Sequence, residues 1–280
     1  TLQESDSILA KGMVYQNGLP VKEADTAFPM ITQLREESSL GSKDGDEVYT
    51  IDYLTLSDKA NMGTGSSSRW YPQGDGTAFV LENLGTIHDL CLDHVSVTGD
   101  QNTAAVCAYN GGTLENLTVA GSIEAKDFAA GIFAASLPMK EEDETLSKLV
   151  NHAKVTADGT AAGIVAQTKE KVLLEDCVNT GVIEAAVAAG ITTAECENLV
   201  LMRCQNYAPI ISSDNESYGI TSNLTANLTD CVGVSENVYP IAADANESEN
   251  CLYFISGGEK LEDALLADIC DISLTIGETD

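Results

Sequence analysis

The chain has 280 residues, of which 44% are apolar and only 5% aromatic, and its 44 acidic and 14 basic residues give a formal net charge of −30. This charge excludes nucleic acid as a partner, because phosphate binding needs clustered Lys and Arg. It also disfavours an anionic membrane surface, and it repels polyuronates unless cations bridge them. No apolar run approaches the ~20 residues that cross a bilayer, so membrane insertion is not expected.

Residues 1–47 are polar and irregular, and they are predicted to form an N-terminal cap. Residues 48–57, VYTIDYLTLS, predict a strand that begins an irregular first coil. The chain starts at Thr1 without an initiator Met. We therefore expect a fragment or a mature form whose export signal has been removed.

An internal repeat follows. Segments 114–134, LENLTVAGSIEAKDFAAGIFA, and 174–194, LEDCVNTGVIEAAVAAGITTA, both carry Gly at the same offset (Gly121 and Gly181), then Ile-Glu-Ala, then Ala-Ala-Gly-Ile. Repetition at such a period indicates a stacked architecture. With Cys177 as the anchor, the steps between units are 26, 32, 28, 27 and 27 residues, and the anchor column is Cys91, Leu117, Leu149, Cys177, Cys204 and Cys231.

Three further apolar columns keep the same order in each unit. The first lies three residues before the anchor, the second six residues after it, and the third follows a pair of small residues. Their members are Leu114, Leu146, Leu174, Leu201 and Leu228; Val97, Ile123, Val155, Ile183 and Ile210; and Val106, Ile132, Ile164, Ile191, Ile220 and Ile241.

Each unit holds short β-prone runs separated by Gly, Asn, Asp or Ser, and none holds a helix-length amphipathic segment. The sequence therefore predicts an all-β fold, a right-handed parallel β-helix (solenoid) of about seven coils over residues 48–257. Residues 258–280 are predicted to form a C-terminal cap. Leu261, Leu265 and Ile269 recur there at helical spacing, which predicts a short helix. We interpret 48–257 as one domain between two caps.

Two polar columns support the stacking. Asn151, Asn179 and Asn206 lie two residues past the anchor in successive units and predict a hydrogen-bonded ladder, since Asn tolerates turn conformations. Cys177, Cys204 and Cys231 are expected to point inward as reduced thiols. Cys251 is predicted to open a shorter final coil. The redox states of Cys107, Cys196 and Cys270 are left open.

The 32-residue step contains an insertion, residues 136–147, with four consecutive acids from Glu141 to Glu144. Insertions into a solenoid form loops on one side of the stack, so a solvated acidic loop is expected here. A cation or partner site at this loop is the alternative.

The units 174–194 and 201–221, LMRCQNYAPIISSDNESYGIT, resemble repeats of bacterial surface proteins that carry the GLUG motif, through their Cys-x-Asn and Ala-Gly-Ile elements. Segment 70–99 is similar to the entry coil that precedes such repeats, and the resemblance covers roughly residues 70–255. It implies an exported or wall-attached bacterial protein with an adhesion-like role. The family has no agreed catalytic residues, so none is carried over.

Candidate chemistry is sparse. His88, Cys91 and His94 form HDLCLDH, but offsets of three on a strand place Cys91 on the face opposite both histidines, and the spacing matches no common zinc site. Surface or turn residues are the preferred interpretation.

Asp44, Asp46 and Glu47 lie in KDGDE, which lacks the twelve-residue pattern of an EF-hand. A plain loop is preferred there, with weak Ca²⁺ binding as the alternative. Trp70 and Tyr71 are adjacent aromatics; they either stack on a sugar ring or plug the first coil, and we prefer the plug.

Three arginines, Arg35, Arg69 and Arg203, form no cluster that would serve a lyase. Paired carboxylates suited to glycoside hydrolysis would arise by chance among so many acids. No catalytic, cofactor-binding or metal residue is therefore assigned.

The sequence favours a non-catalytic extracellular or cell-surface module of a bacterium with an adhesion or scaffold role. The expected partner is a surface ligand, either a host or dietary glycan or a protein. The alternatives are a carbohydrate-active enzyme acting on a neutral glycan and a calcium-dependent glycan-binding module.

Overall fold

A computed structural model describes residues 14–16, 19–21, 31–41, 48–52, 54–57, 76–137, 145–168, 171–193, 199–223, 225–235 and 247–255. Within these ranges the regular structure is β-strand throughout, without a helix. The predicted C-terminal helix lies outside the described residues.

The strands are, in chain order, β1 Val14–Gln16, β2 Leu19–Val21, β3 Ile31–Leu34, β4 Ser39–Gly41, β5 Tyr49–Asp52, β6 Thr55–Ser57, β7 Gly76–Thr77, β8 Val80–Asn83, β9 Thr86–Thr98, β10 Asn102–Ala104, β11 Cys107–Asn110, β12 Thr113–Ala125, β13 Phe128–Ala130 and β14 Phe133–Ser136. They continue with β15 Thr145–Asn151, β16 Lys154–Ala157, β17 Thr160–Ala162, β18 Val165–Gln167, β19 Leu173–Glu175, β20 Val178–Asn179, β21 Ile183–Ala189, β22 Val200–Met202, β23 Gln205–Asn206, β24 Ile210–Tyr218, β25 Asn227–Thr229, β26 Val232–Ser235, β27 Glu247–Glu249 and β28 Leu252–Ile255.

The strands form one sheet of 23 strands and one of five, the small sheet being β18-β14-β11-β8-β3. Successive units contribute to both. For example, β12 and β13 join the large sheet and β14 joins the small one. Apart from the antiparallel β1–β2 and β1–β5 pairs, the described strands pair in parallel with strands one unit away. The fold is therefore all-β and built on parallel strand ladders.

The register confirms the repeat. Leu174 pairs with Leu201 and Leu201 with Leu228, so residues 27 apart occupy neighbouring places in one ladder. Ile183 likewise pairs with Ile210. The fourth column is joined by backbone bonds, such as Ile164 N–H to the Ile191 carbonyl at 2.9 Å. Ile241 of that column lies outside the described residues.

The anchor column begins one residue earlier than the sequence predicted. Leu117 pairs with Leu90, and Cys91 pairs with Thr118 on the outer side, so the prediction for Cys91 was wrong. The reason is an extra residue in the first unit. The register of β12 against β9 shifts between Val119 and Gly121. His94 of β9 lies opposite this shift, and its backbone is left-handed at φ 49°. That bulge absorbs the extra residue.

One continuous apolar cluster runs from Leu40 to Cys231, and it receives side chains from both sheets. Leu114 and Ile123 come from the large sheet, and Phe133 from the small one; all three are fully buried. Short strands with alternating inward residues form this core because each inward side chain packs on its equivalent one unit away. Cys177, Cys204 and Cys231 lie within it, as predicted.

A buried asparagine ladder joins three units. The Nδ2 of Asn151 donates to the Oδ1 of Asn179 at 2.8 Å, and the Nδ2 of Asn179 donates to the Oδ1 of Asn206 at 2.7 Å. Each side-chain amide also closes a turn in its own unit. The Nδ2 of Asn179 donates to the carbonyl of Gly181, and its Oδ1 accepts from the N–H of Gly181. The predicted ladder is confirmed, and it satisfies polar groups that burial would otherwise leave unpaired.

The glycine of the Ala-Gly-Ile element is required by this ladder. A Cβ added to Gly163 would lie 2.1 Å from the carbonyl oxygen of Gly190 and 2.7 Å from the Cγ of Asn179. Both are closer than any non-bonded contact tolerates. The repeated Gly therefore leaves the space that the repeated Asn side chain occupies.

The described N-terminal strands extend the ladders. Ile31 of β3 pairs with Val80 in the small sheet, and Leu40 of β4 pairs with Ile87 in the large one. β5, within the predicted strand 48–57, pairs with β9. At the other end, Val232 pairs with Leu252, which sets Cys251 beside Cys231 and confirms a shorter final step.

Replacing Asn179 by Ala is expected to lower the free energy of unfolding by about 2–3 kcal/mol, because Asn151 and Asn206 each lose a buried hydrogen-bond partner. Chemical denaturation followed by circular dichroism measures this. Ser122→Ala, on the exposed side of β12, is the control and should stay within about 0.5 kcal/mol of the parent chain. An equal effect of both substitutions would contradict the role of the ladder.

Replacing Ser217 by Ala is expected to stabilise the protein by about 1 kcal/mol. The Ser217 hydroxyl is buried without a hydrogen-bond partner, and its column equivalents Ala188 and Ala161 show that a methyl group fits. The same denaturation experiment tests this, and a loss of stability would show that the hydroxyl has a partner after all.

Candidate functional site

A left-handed backbone position recurs just before the anchor column in seven successive units. Its φ values lie between 48° and 55°. Asn and Asp tolerate this conformation, whereas Lys and Arg rarely adopt it. The residues are Asp89, Asn116, Lys148, Asp176, Arg203, Asp230 and Asn250.

Charges of opposite sign meet along this left-handed column. The Nε of Arg203 donates to Asp176 at 2.7 Å, and its guanidinium also contacts Glu175. The hydrogen bond from Arg203 holds the pKa of Asp176 below its usual value. Lys148 lies one unit away and bonds Glu115 at 3.3 Å. The column thus places Lys148 and Arg203, two of the few basic residues of this acidic chain, beside carboxylates.

Asp89 at the start of the column is held similarly. Hydrogen bonds from His88, at 2.8 Å, and from Asn116, at 2.6 Å, lower its pKa. The other ring nitrogen of His88 lies 2.8 Å from the Ser39 hydroxyl. Cys91 pairs in register with Thr118, and it lies at a partly exposed position of β9, as His88 does. HDLCLDH therefore contributes to the surface hydrogen-bond network.

No group of three His, Cys, Asp or Glu in the described part of the chain is arranged to hold a metal ion. Arg203 contacts the carboxylates of Asp176 and Glu175. Several residues weighed from the sequence lie outside the described residues: Asp44, Asp46, Glu47, Arg69, Trp70, Tyr71, Glu141 to Glu144, Cys196 and Cys270.

The six described cysteines are free thiols. Burial, followed by a hydrogen bond with Cys177, raises the pKa of Cys204, and burial alone raises that of Cys107. The hydrogen bond with Cys204 raises the pKa of Cys231 to about 12. Because the thiolate is the reactive form, a raised pKa makes the thiols of Cys107, Cys204 and Cys231 suited to packing and unsuited to nucleophilic chemistry.

One outer surface differs from the rest. Tyr207 is 52% exposed and Ile211 is 41% exposed, and with Val48 they are the large exposed hydrophobic residues of the described chain. Tyr207 and Ile211 belong to the same unit. Tyr207 lies within the turn that Asn206 closes, and Ile211 lies in β24, which follows. The Tyr207 hydroxyl donates to the Oε1 of Gln205 at 2.6 Å.

Polar residues of the two preceding units flank this tyrosine. Thr180 occupies the place equivalent to Tyr207, and Glu184 pairs in register with Ile211. The Nζ of Lys154 lies 2.9 Å from the Glu184 carboxylate, and the ring of His152 is hydrogen-bonded to Thr180. Sequence reasoning missed Tyr207. The equivalent places in the two following units are taken by Val234 and Phe254, so this turn position is polar in the preceding units and apolar in the following ones.

The fold and these surfaces define an all-β repeat protein with an inert core and an acidic, ion-paired exterior. Comparison with protein-family models, curated proteins and solved structures gave no match. The described residues include no helix long and apolar enough to span a membrane.

Replacing Asp176 by Asn tests the left-handed column. A depressed folded-state pKa contributes stability above the unfolded pKa of about 3.9, and this stability is lost as pH falls through the lower folded value. Because the site is partly exposed, the loss at pH 7 should be about 0.5–1 kcal/mol, and it should vanish once the pH has fallen below the lowered folded-state pKa of Asp176.

Unfolding measured from pH 2 to pH 7 checks this expectation. Asp230→Asn is the matched control, since it lies at the same backbone position two units further on. Its pH profile should follow the parent chain more closely than that of the Asp176 variant. A pH-independent difference between Asp176→Asn and the parent would rule out the ionic origin.

Proposed function

We propose that the chain is a right-handed parallel β-helix with short terminal caps, including a C-terminal helix, and that it is a non-catalytic module of the bacterial cell surface or exterior. The observation that carries this proposal is the register of the two sheets. Strands one unit apart pair in parallel around one continuous apolar cluster. Such stacking yields a long lateral surface, which suits adhesion or a scaffold role.

A non-catalytic role is supported by the state of the ionisable groups. Asp89 and Asp176 have lowered pKa values, whereas a general acid needs a raised one. Arg203 and Lys154 are paired with carboxylates. The thiols of Cys107, Cys204 and Cys231 are buried and have raised pKa values. The charged groups therefore stabilise the surface against its own repulsion.

Location outside the cell is supported by the resemblance of units 174–194 and 201–221 to GLUG-type repeats and by the strongly acidic composition. A large net charge keeps a protein soluble and resists nonspecific association. An acidic exterior also disfavours polyanionic partners. The partner class that remains is neutral, and neutral glycans and proteins of a host or diet both meet that condition.

Two measurements test the proposal. Antibodies against the chain should label intact cells of the organism that produces it, and labelling only after permeabilisation would overturn the surface location. The purified chain should release no reducing ends from a panel of neutral polysaccharides. Release from any of them would establish an enzyme and overturn the non-catalytic role.

A further inference from the structure

Three polar side chains near the N-terminal end of the described ladders form one series of hydrogen bonds. The Ser39 hydroxyl lies 2.8 Å from the Nε2 of His88, and the Nδ1 of His88 lies 2.8 Å from the Oδ2 of Asp89. A serine becomes nucleophilic when a base contacts its hydroxyl and a third group holds the base in place. The three side chains meet in that order.

The backbone of β9 brings His88 and Asp89 together. Adjacent residues of a strand normally point to opposite faces. Asp89 is left-handed, at φ 48°, and it interrupts this alternation. Ile87 and Leu90 on either side are buried. His88 and Asp89 between them are both partly exposed, so their side chains can meet outside the core.

The neighbouring strand β4 supplies the serine. It pairs in parallel with β9, with Gly41 opposite His88, and Ser39 is exposed. A Cβ at Gly41 would lie 1.7 Å from the carbonyl oxygen of His88 and 3.3 Å from its Cγ. The glycine therefore permits the close approach of β4 to His88. Ser39 and His88 are 49 residues apart in the sequence, so only the stacking of the units brings them into contact.

Asp89 determines which nitrogen of His88 carries the proton. Hydrogen bonds from His88 and from Asn116, the latter at 2.6 Å, lower the pKa of Asp89. Its carboxylate is therefore ionised at neutral pH and can only accept hydrogen bonds. The Nδ1 of His88 must donate to it, which leaves the lone pair of Nε2 in the neutral imidazole to accept the Ser39 proton. This is the tautomer that a general base needs.

The fold does not require a histidine at the place of His88. The register puts Glu115 and Ser147 at the equivalent positions of the two following units. His152, elsewhere in the chain, is hydrogen-bonded to the Thr180 hydroxyl through its Nδ1, so a hydroxyl takes the nitrogen that a carboxylate holds in His88. Packing alone does not account for the arrangement at His88.

We propose that Ser39 is an activated nucleophile that accepts an acyl group from an activated donor, an aryl ester or a thioester. The bond from Oγ to the acyl carbon forms, and the bond from that carbon to the departing oxygen or sulfur breaks. The Ser39 proton passes to the Nε2 of His88 and then to the leaving group. The product is an alkyl ester with a poor leaving group, so one acyl group should remain on each chain. This modification goes beyond the proposed function and does not depend on it, because a single acylation is not turnover.

The test uses the full chain and p-nitrophenyl acetate, with peptide mass mapping over time to locate the acetyl groups and measure their rates of attachment. Ser39 of the parent chain should be acetylated. His88→Gln should be acetylated at Ser39 about a hundredfold or more slowly, since a positioned general base contributes a factor of this size. The parent chain unfolded in urea should leave Ser39 unmodified.

His152→Gln is the matched control. It removes a histidine that is also hydrogen-bonded to a hydroxyl, that of Thr180, and it should leave the rate at Ser39 unchanged. Ser38→Ala removes the neighbouring hydroxyl and should likewise have no effect on this rate. Circular dichroism and the midpoint of thermal unfolding should match the parent for every variant, which separates a lost nucleophile from a lost fold.

Asp89→Asn tests the positioning role of the carboxylate. Asn116 has the same left-handed conformation at the equivalent place, so the backbone tolerates the change. The new amide can donate to Nδ1, which moves the imidazole proton to Nε2 and should slow acetylation of Ser39 about a hundredfold or more. The nitrogen NMR shifts of the His88 ring report this tautomer, and a merely structural role of Asp89 would leave them unchanged.

The inference is overturned if Ser39 of the parent stays unmodified while lysines are acetylated, or if His88→Gln reacts at Ser39 as fast as the parent. An unchanged tautomer and rate in Asp89→Asn would also overturn it. These results leave cell-surface labelling and the polysaccharide assay unaffected, so they do not bear on the proposed function. Continued hydrolysis of the ester through Ser39 would support the activated serine and refute the non-catalytic role.

Discussion

Every inward position in this protein is packed against its own equivalent one unit away, and that constraint shapes the rest of the molecule. Parallel strands stack about 4.8 Å apart, so a column tolerates only side chains that fit on copies of themselves. Small and β-branched residues meet this condition, as do the thiols of Cys177, Cys204 and Cys231. The insertion between β14 and β15 does not disturb the columns, because Glu115 pairs with Ser147 after it as if the extra residues were absent.

The inner columns could be predicted from sequence because they repeat with both spacing and chemistry. Leu174, Leu201 and Leu228 need no structure to be aligned. The predicted anchor column is wrong in the first unit. Cys91 shares the residue type of Cys177 and lies six residues before Val97, as the pattern requires, but it does not occupy the anchor position. Leu90 is the true equivalent, since the left-handed His94 inserts one residue that a pattern of constant spacing cannot detect. Register errors of this kind exchange inner and outer faces.

The outer surface could not be predicted in the same way. Left-handed residues such as Asp176 and Arg203 vary in type from unit to unit, so they resemble ordinary surface charges until the backbone shows that they share one conformation. Tyr207 could not be identified from the sequence for a related reason, because it lies in a turn between two buried residues, Asn206 and Ala208, whose types follow the repeat. Candidate sites in a repeat protein are therefore found by asking which unit departs from its neighbours at a given outer position.

This division between inner and outer positions allows the outer surface to vary from unit to unit while the core stays the same. Screening limits the field of the net charge to about 8–10 Å, so the acidic exterior selects among partners as they approach, and contact chemistry decides at the surface. Around Tyr207 the local charges are already paired, as Lys154 is with Glu184. An acidic protein can thus present a locally neutral area. Because Thr180 and Tyr207 occupy equivalent places beside the same asparagine ladder, the residue at this outer place can change without any change in the core.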